Sequence, residues 1–321
     1  MSKITWTLLS ALALSFSVNA DETNVSNVTA EVSKTTETKA SDEADQLITN
    51  RRLRASQGSL SDWSINSSWN YNGGSLEKPI GSSRPNVTGA SDVPAVQNLS
   101  GNIGVSYRAS TYDRFTLGFG LQMASPFSSK ADESFTAAGK REFEETQGDV
   151  DLNNPSLSYS RVMNIAGVQT VLGTSMTYYT QDALTNIGYN TYNDITLNTM
   201  YEFKGTGFSA GMLFSAGAYS HSKEDPSLAS SQAEYVFYAM PQAEYVINDT
   251  FNLRTILRPY WYQNSRGQSF SKWTRLDMTQ SVGLGISMTR NIFLYPNIQF
   301  APDNIRADRT NIGLSANINI F

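Results

Sequence analysis

The chain has 321 residues, no cysteine, a single histidine and a formal net charge of −5. It therefore lacks disulfides and thiolate metal sites, cannot build a His-rich metal centre, and has none of the basic excess that holds nucleic acid. Charged residues are only 17% of the chain, below the roughly 25% of an ordinary soluble domain. Beyond residue 20 no apolar run approaches the ~20 residues that a membrane-spanning helix needs, so any membrane span must be made of strands.

Residues 1–20 read as an export signal. Lys3 supplies the positive start, Ile4 to Val18 are mostly apolar, and Val18-Asn19-Ala20 forms a small-residue cleavage site ahead of Asp21. Residues 21–58 are expected to be a linker. Its stretch 21–48 is rich in Thr, Ser, Glu and Asp and has no aromatic residue, which predicts a disordered tail. The segment Asp42 to Arg54 carries Ala44, Leu47, Ile48 and Leu53 and suits one short helix. Two readings stand for it, a frayed linker or a small plug or docking segment under the domain that follows.

From residue 59 to 321 the sequence alternates with a period of two, the mark of strands with one wet and one apolar face. Trp63, Ile65, Trp69 and Tyr71 oppose Ser64, Asn66, Ser68 and Asn70. Two equally regular segments follow at Leu99 to Tyr107 and at Phe115 to Met123. A weak one, about Asn154 to Met163, leads through Asn164 to Gly167 into Val168 to Tyr178. Segments at Asp194 to Phe203 and Phe208 to Tyr219 are joined by the tight turn Lys204 to Gly207. Glu234 to Val246 turns at Asn248-Asp249 into Phe251 to Tyr262. The last three run from Leu276 to Met288, from Leu294 to Phe300 and from Asn311 to Ile320, giving twelve in all.

Connections alternate between long (Gly74 to Val96, Ala124 to Val150) or moderate and very short. Segments of about ten to fourteen residues are long enough to cross hydrocarbon of roughly 30 Å when tilted. Lipid cannot satisfy stray backbone groups, so the sheet must close on itself. The expected fold is all-β: a closed antiparallel transmembrane up-and-down β-barrel of about twelve strands, with both termini on one side. Aromatic residues near segment ends, among them Tyr107, Phe115, Tyr178, Tyr192, Phe203, Phe208, Tyr245 and Phe251, suit girdles at the two lipid interfaces.

The chain ends on Phe321, and with this alternation it resembles the Gram-negative outer-membrane β-barrel superfamily, whose members commonly end in an aromatic residue. The resemblance implies a cell outer-membrane location with periplasmic termini. It also implies contact with outer-membrane lipid and lipopolysaccharide, and recognition of Phe321 by the barrel-assembly machinery. One feature departs from the family pattern: the alternate residues before Phe321 are Asn319, Asn317 and Ser315, so the apolar set is offset by one.

If the apolar faces meet lipid, the inward set is rich in hydroxyls and amides, with Asp194, Glu202, Glu234, Glu244 and Asp277 against Arg254, Arg258, Arg275 and Arg309, and with Tyr260 beside them. Counting back from Asn248-Asp249 places Glu244 opposite Arg254. This wall fits a narrow, weakly selective pore for ions or small polar solutes, with no cofactor. The same charges also fit a lumen knitted shut in a surface scaffold whose long loops act as an adhesin. A phospholipase-like reading needs a Ser and His pair, and only His221, flanked by Ser220 and Ser222, offers one.

Overall fold

The computed structural model describes residues 43–321 except 44, 89–93, 129, 134, 136–139, 142, 145–146, 223–231, 276–277 and 321. The export signal, most of the expected tail, Asp277 and Phe321 lie outside the described residues. Among the described residues sixteen strands form in chain order, and fourteen of them make one sheet. These are β1 (Trp63–Ser75), β4 (Asn98–Arg108), β5 (Asp113–Ala124), β6 (Val150–Ile165), β7 (Val168–Tyr178), β8 (Tyr189–Glu202), β9 (Phe208–His221), β10 (Ala233–Val246), β11 (Phe251–Arg258), β12 (Tyr260–Ser265), β13 (Thr274–Arg275), β14 (Thr279–Thr289), β15 (Ile292–Phe300) and β16 (Asn311–Ile320). The other two, β2 (Ser83–Thr88) and β3 (Pro94–Val96), form a small hairpin in the first long loop.

Taking β11 with β12 and β13 with β14 as broken spans leaves twelve crossings from the fourteen strands. Neighbours are antiparallel throughout. The ring closes where β1 pairs with β16, from Ile65 opposite Ile320 to Asn72 opposite Gly313. At the broken span, β10 carries both halves, with Gln242 opposite Ile256 on β11 and Tyr238 opposite Trp261 on β12. The break sits at Pro259, which cannot donate to the ladder, and the Arg275 Nε donates to its carbonyl at 3.0 Å.

The pleat sorts side chains as the alternation predicts. Val105, Leu117, Leu157, Ile195 and Leu253 point outward and are each at least half exposed, while Ser106, Ser215 and Ser281 on the opposite face are buried. So continuous an apolar exterior is foreign to a soluble monomer. Short turns collect at one end: Ala166-Gly167, both with positive φ, Phe203 to Gly207, and Asn248, whose side chain accepts from the N–H groups of Thr250 and Phe251 at 2.9 Å. The long connections collect at the other end.

One span departs from its sequence reading. The weak segment near Asn154 is in fact the longest strand, sixteen residues in β6. A bulge between Gly118 and Gly120, with Asn154 at φ 50°, slips the register, so Leu152 and Leu157 both face out although they are five apart. A bulge inserts one residue and resets the period of two, which hid the strand.

Candidate functional site: a helix inside the barrel

The described residues of 43–57 lie within the short-turn mouth, against the inner wall. The segment contains the helix α1 (Arg51–Ser56), capped by Asn50, whose side chain accepts from the Leu53 N–H at 3.1 Å, and residues 45–47 ahead of it are helical as well. The segment is held because its few apolar residues meet apolar residues on the inner wall. Ile48 and Leu53 pack against Val162, Val171 and Met200, and Ala55 packs against Phe293 and Tyr295. Leu53 and Met200 are completely buried.

The polar anchors are spread around the ring. On β7, Gln169 Oε1 accepts from the Asn50 backbone N–H at 2.8 Å. On β6, the Asn164 amide donates to the Leu47 carbonyl at 3.2 Å and Ser160 donates to Gln57 at 3.2 Å. On β16, the Asn319 amide donates to the Ala55 carbonyl at 2.6 Å. Counting from β1 as the first crossing, β7 is the fifth and β15 the eleventh of twelve, diametrically opposed. The segment therefore bridges the lumen from wall to wall.

Its strongest tie is ionic. Arg52 Nε lies 3.1 Å from Glu244 Oε1, and Arg254 Nε lies 3.2 Å from the same oxygen. Glu244 Oε2 accepts from the side-chain amides of Asn50 at 2.8 Å and Asn252 at 3.1 Å. Gln242 Oε1 takes a further N–H from each guanidinium, at 3.0 Å from Arg52 and 3.1 Å from Arg254. Arg254 also stacks 4.7 Å above the Tyr295 ring. Glu244 is 2% exposed and both arginines are 7% exposed, so the carboxylate is shared between two guanidiniums away from bulk water. Arg52 and the two amides hydrogen-bond the carboxylate, whereas Arg254 Nε meets it as an ion pair without hydrogen-bond geometry; together these contacts help the buried group offset its desolvation.

The remaining inward residues fall elsewhere. Asp194 is half-buried and accepts from the Ser175 hydroxyl. Glu202 is exposed and, with Thr49, Asn50, Ser209, Glu244 and Asn252, lines a cavity of about 300 Å³ beside the segment. Arg258 donates weakly to Ser281 at 3.4 Å. Glu234 is half-buried near the far end of β10, Arg275 and Arg309 are exposed at the long-loop end, and Tyr260 opens β12. Tyr192 departs from its girdle reading: it packs inside, 4.6 Å from the Tyr219 ring, in the space left by Gly217, where a Cβ would come within 2.2 Å of the Tyr192 hydroxyl. His221 packs 5.1 Å from the Tyr189 ring. The neighbouring hydroxyls are bonded elsewhere, Ser220 to Thr191 at 2.7 Å and Ser222 to the Gly188 carbonyl at 3.4 Å.

The inner segment joins β1 through residues 57–62, and three arginines of the wall grip that joint. Arg290 Nη1 donates to the Gly58 carbonyl at 2.8 Å, Arg114 donates to the Ser59 carbonyl, and Arg108 Nη1 donates to the Leu60 carbonyl at 2.7 Å. Gly58 holds φ 83°, and an added Cβ would meet Arg114 Nη1 at 2.6 Å and Asn66 Nδ2 at 2.7 Å. Gly58→Ala should loosen this joint by about 1–2 kcal/mol, the cost of a left-handed residue with a Cβ, before any clash is counted. Limited proteolysis should cut at residues 57–62 faster in the variant. Equal cutting rates would show that the grip does not restrain the joint.

No family model matches the chain, and no curated protein matches it in sequence. Similar solved structures include an outer membrane channel from Pseudomonas putida F1, at 12% identity and TM-score 0.49, covering 82% of this chain and 97% of that one. The NanC porin is similar at 12% identity and TM-score 0.41, covering 79% of this chain and 97% of its own. The outer membrane protein Omp33 of Acinetobacter baumannii is similar at 8% identity and TM-score 0.36, covering 80% and 98%.

Proposed function

We propose that the chain is an outer-membrane barrel forming a narrow, weakly selective pore for ions and small polar solutes, with residues 43–57 as a removable stopper at its periplasmic mouth. The observation that carries this reading is the Glu244 site. Arg254 faces Glu244 across the β10–β11 ladder, so when the segment leaves with Arg52 the carboxylate keeps a guanidinium partner. A socket that stays paired when empty suits a part that comes and goes. A permanently closed lumen would gain as much from apolar packing, since replacing a buried ion group by hydrophobic residues is often neutral or stabilising.

The wall supports passage of polar solutes. Ser, Thr, Asn and Gln side chains line much of it, and the tyrosines at 192 and 219 narrow the long-loop half. The outward apolar face supports a place in a bilayer, and the asymmetry of loop length supports a periplasmic side for the short turns.

The test is single-channel recording in a planar bilayer, comparing the full chain with a variant lacking residues 43–57. The full chain should show rare openings and the deletion variant steady steps of one size. Silence from a deletion variant whose gel band still shifts on boiling would leave a closed scaffold and end the pore reading.

A further inference from the structure

The seam between the inner segment and the wall carries a charge imbalance that the stopper does not explain. Arg54 of α1 meets Arg108, Arg114 and Arg290 of the barrel around one small cavity of about 30 Å³, with Gln57, Asp45 and Asp113 also on its lining. Asp45 is the carboxylate they share: Arg290 Nε lies 3.2 Å away and Arg54 Nε 3.5 Å away. The other acids nearby are committed or wet. Asp113 holds Arg161 at 3.0 Å and accepts from Tyr159 at 2.6 Å, and Asp62 is exposed.

Four guanidiniums thus face two carboxylates, half-buried Asp45 and Asp113, the second already shared with Arg161, in a place where unpaired charge is costly. Arg114 is 8% exposed. Burial also pushes the Arg290 guanidinium below its ordinary value, an effect that Asp45 opposes. Arg108 supplies the sharpest sign: its Nη2 is buried and has no hydrogen-bond partner, although Nη1 is satisfied by the Leu60 carbonyl. A free donor on a planar fork, beside three further guanidiniums and a void, is the recognition chemistry of an oxyanion. The void accepts roughly two water-sized probes, about the room one tetrahedral oxyanion takes.

We infer that this cavity is a binding site for a small oxyanion of the phosphate or sulfate class, bridging Arg54 on the stopper to Arg108, Arg114 and Arg290 on the barrel. A bound oxyanion adds the missing negative charge and ties α1 to the wall at the same stroke, so it holds the segment in place. The site stands or falls by binding, whatever the barrel conducts.

The experiment is calorimetric titration of inorganic sulfate into the full chain folded in detergent, at constant ionic strength in chloride. Saturable one-to-one binding is expected. Arg108→Gln should weaken it at least about tenfold, and Arg108→Lys, which keeps charge but loses the fork, should weaken it less. Gln57→Glu deletes no arginine and sets a carboxylate on the cavity rim; it should abolish binding while the heat-shifted gel band persists. No saturable heat beyond the chloride background, or sulfate binding as tight in Arg108→Gln and Gln57→Glu as in the parent, overturns the assignment.

Discussion

Glu244→Ala should turn a quiet barrel into one that stays open. The substitution leaves Arg52 and Arg254 facing each other, buried, with no carboxylate between them. Removing one partner from a buried ion group costs about 3–5 kcal/mol. In the docked state the whole cost applies. With the segment released, Arg52 returns to water and only Arg254 is left unpaired. If about half the cost falls on docking, the released fraction rises on the order of 10–100-fold, at 1.4 kcal/mol per tenfold. Arg52→Met is the contrasting variant, because it leaves the Glu244–Arg254 pair intact and should open the barrel far less. Open-state dwell times in a planar bilayer report both. Equal dwell times for Glu244→Ala and the parent would mean that this ionic tie does not hold the segment.

The sequence displayed the barrel because the physics of its wall has a short period. Lipid outside and water inside sort alternate residues, so Phe115 to Met123 or Ile312 to Ile320 can be read without any long-range knowledge. The reading faded where that period is broken: at the β6 bulge, and at Pro259, which divides one crossing into β11 and β12. Opposition of Glu244 and Arg254 follows from counting outward from one tight turn, and such local register is legible.

The third member of that site was not legible. Arg52 lies 192 residues from Glu244 along the chain, and no periodicity links a helix to a strand so remote. A signal was present nonetheless. Met200 stands among Thr196, Asn198 and Glu202, and Val162 and Val171 share the inward side with Ser160 and Gln169. Apolar residues on the wet face of a barrel need something apolar to cover them, and Ile48 and Leu53 do so. The arginine seam was hidden for another reason: Arg108 and Arg290 sit at strand ends, where a charged residue reads as ordinary loop solvation.

Leu117→Arg should strongly destabilise the barrel folded in a bilayer. Leu117 lies mid-strand in β5, pairs with Val105 and Leu157, and is 58% exposed on the outer face. If that face meets hydrocarbon, an arginine there costs about 2–4 kcal/mol, whereas one near an interface costs only about 0–1 kcal/mol. Phe208→Arg, at the first residue of β9, supplies the interfacial comparison. Urea titration of both variants in lipid vesicles, read by the heat-shifted gel band, should separate them by about 1–4 kcal/mol. A soluble barrel would treat both as surface changes within about 0.5 kcal/mol of each other. That outcome would remove the bilayer from the account, and with it the need for a stopper, because a barrel that spans nothing has nothing to seal.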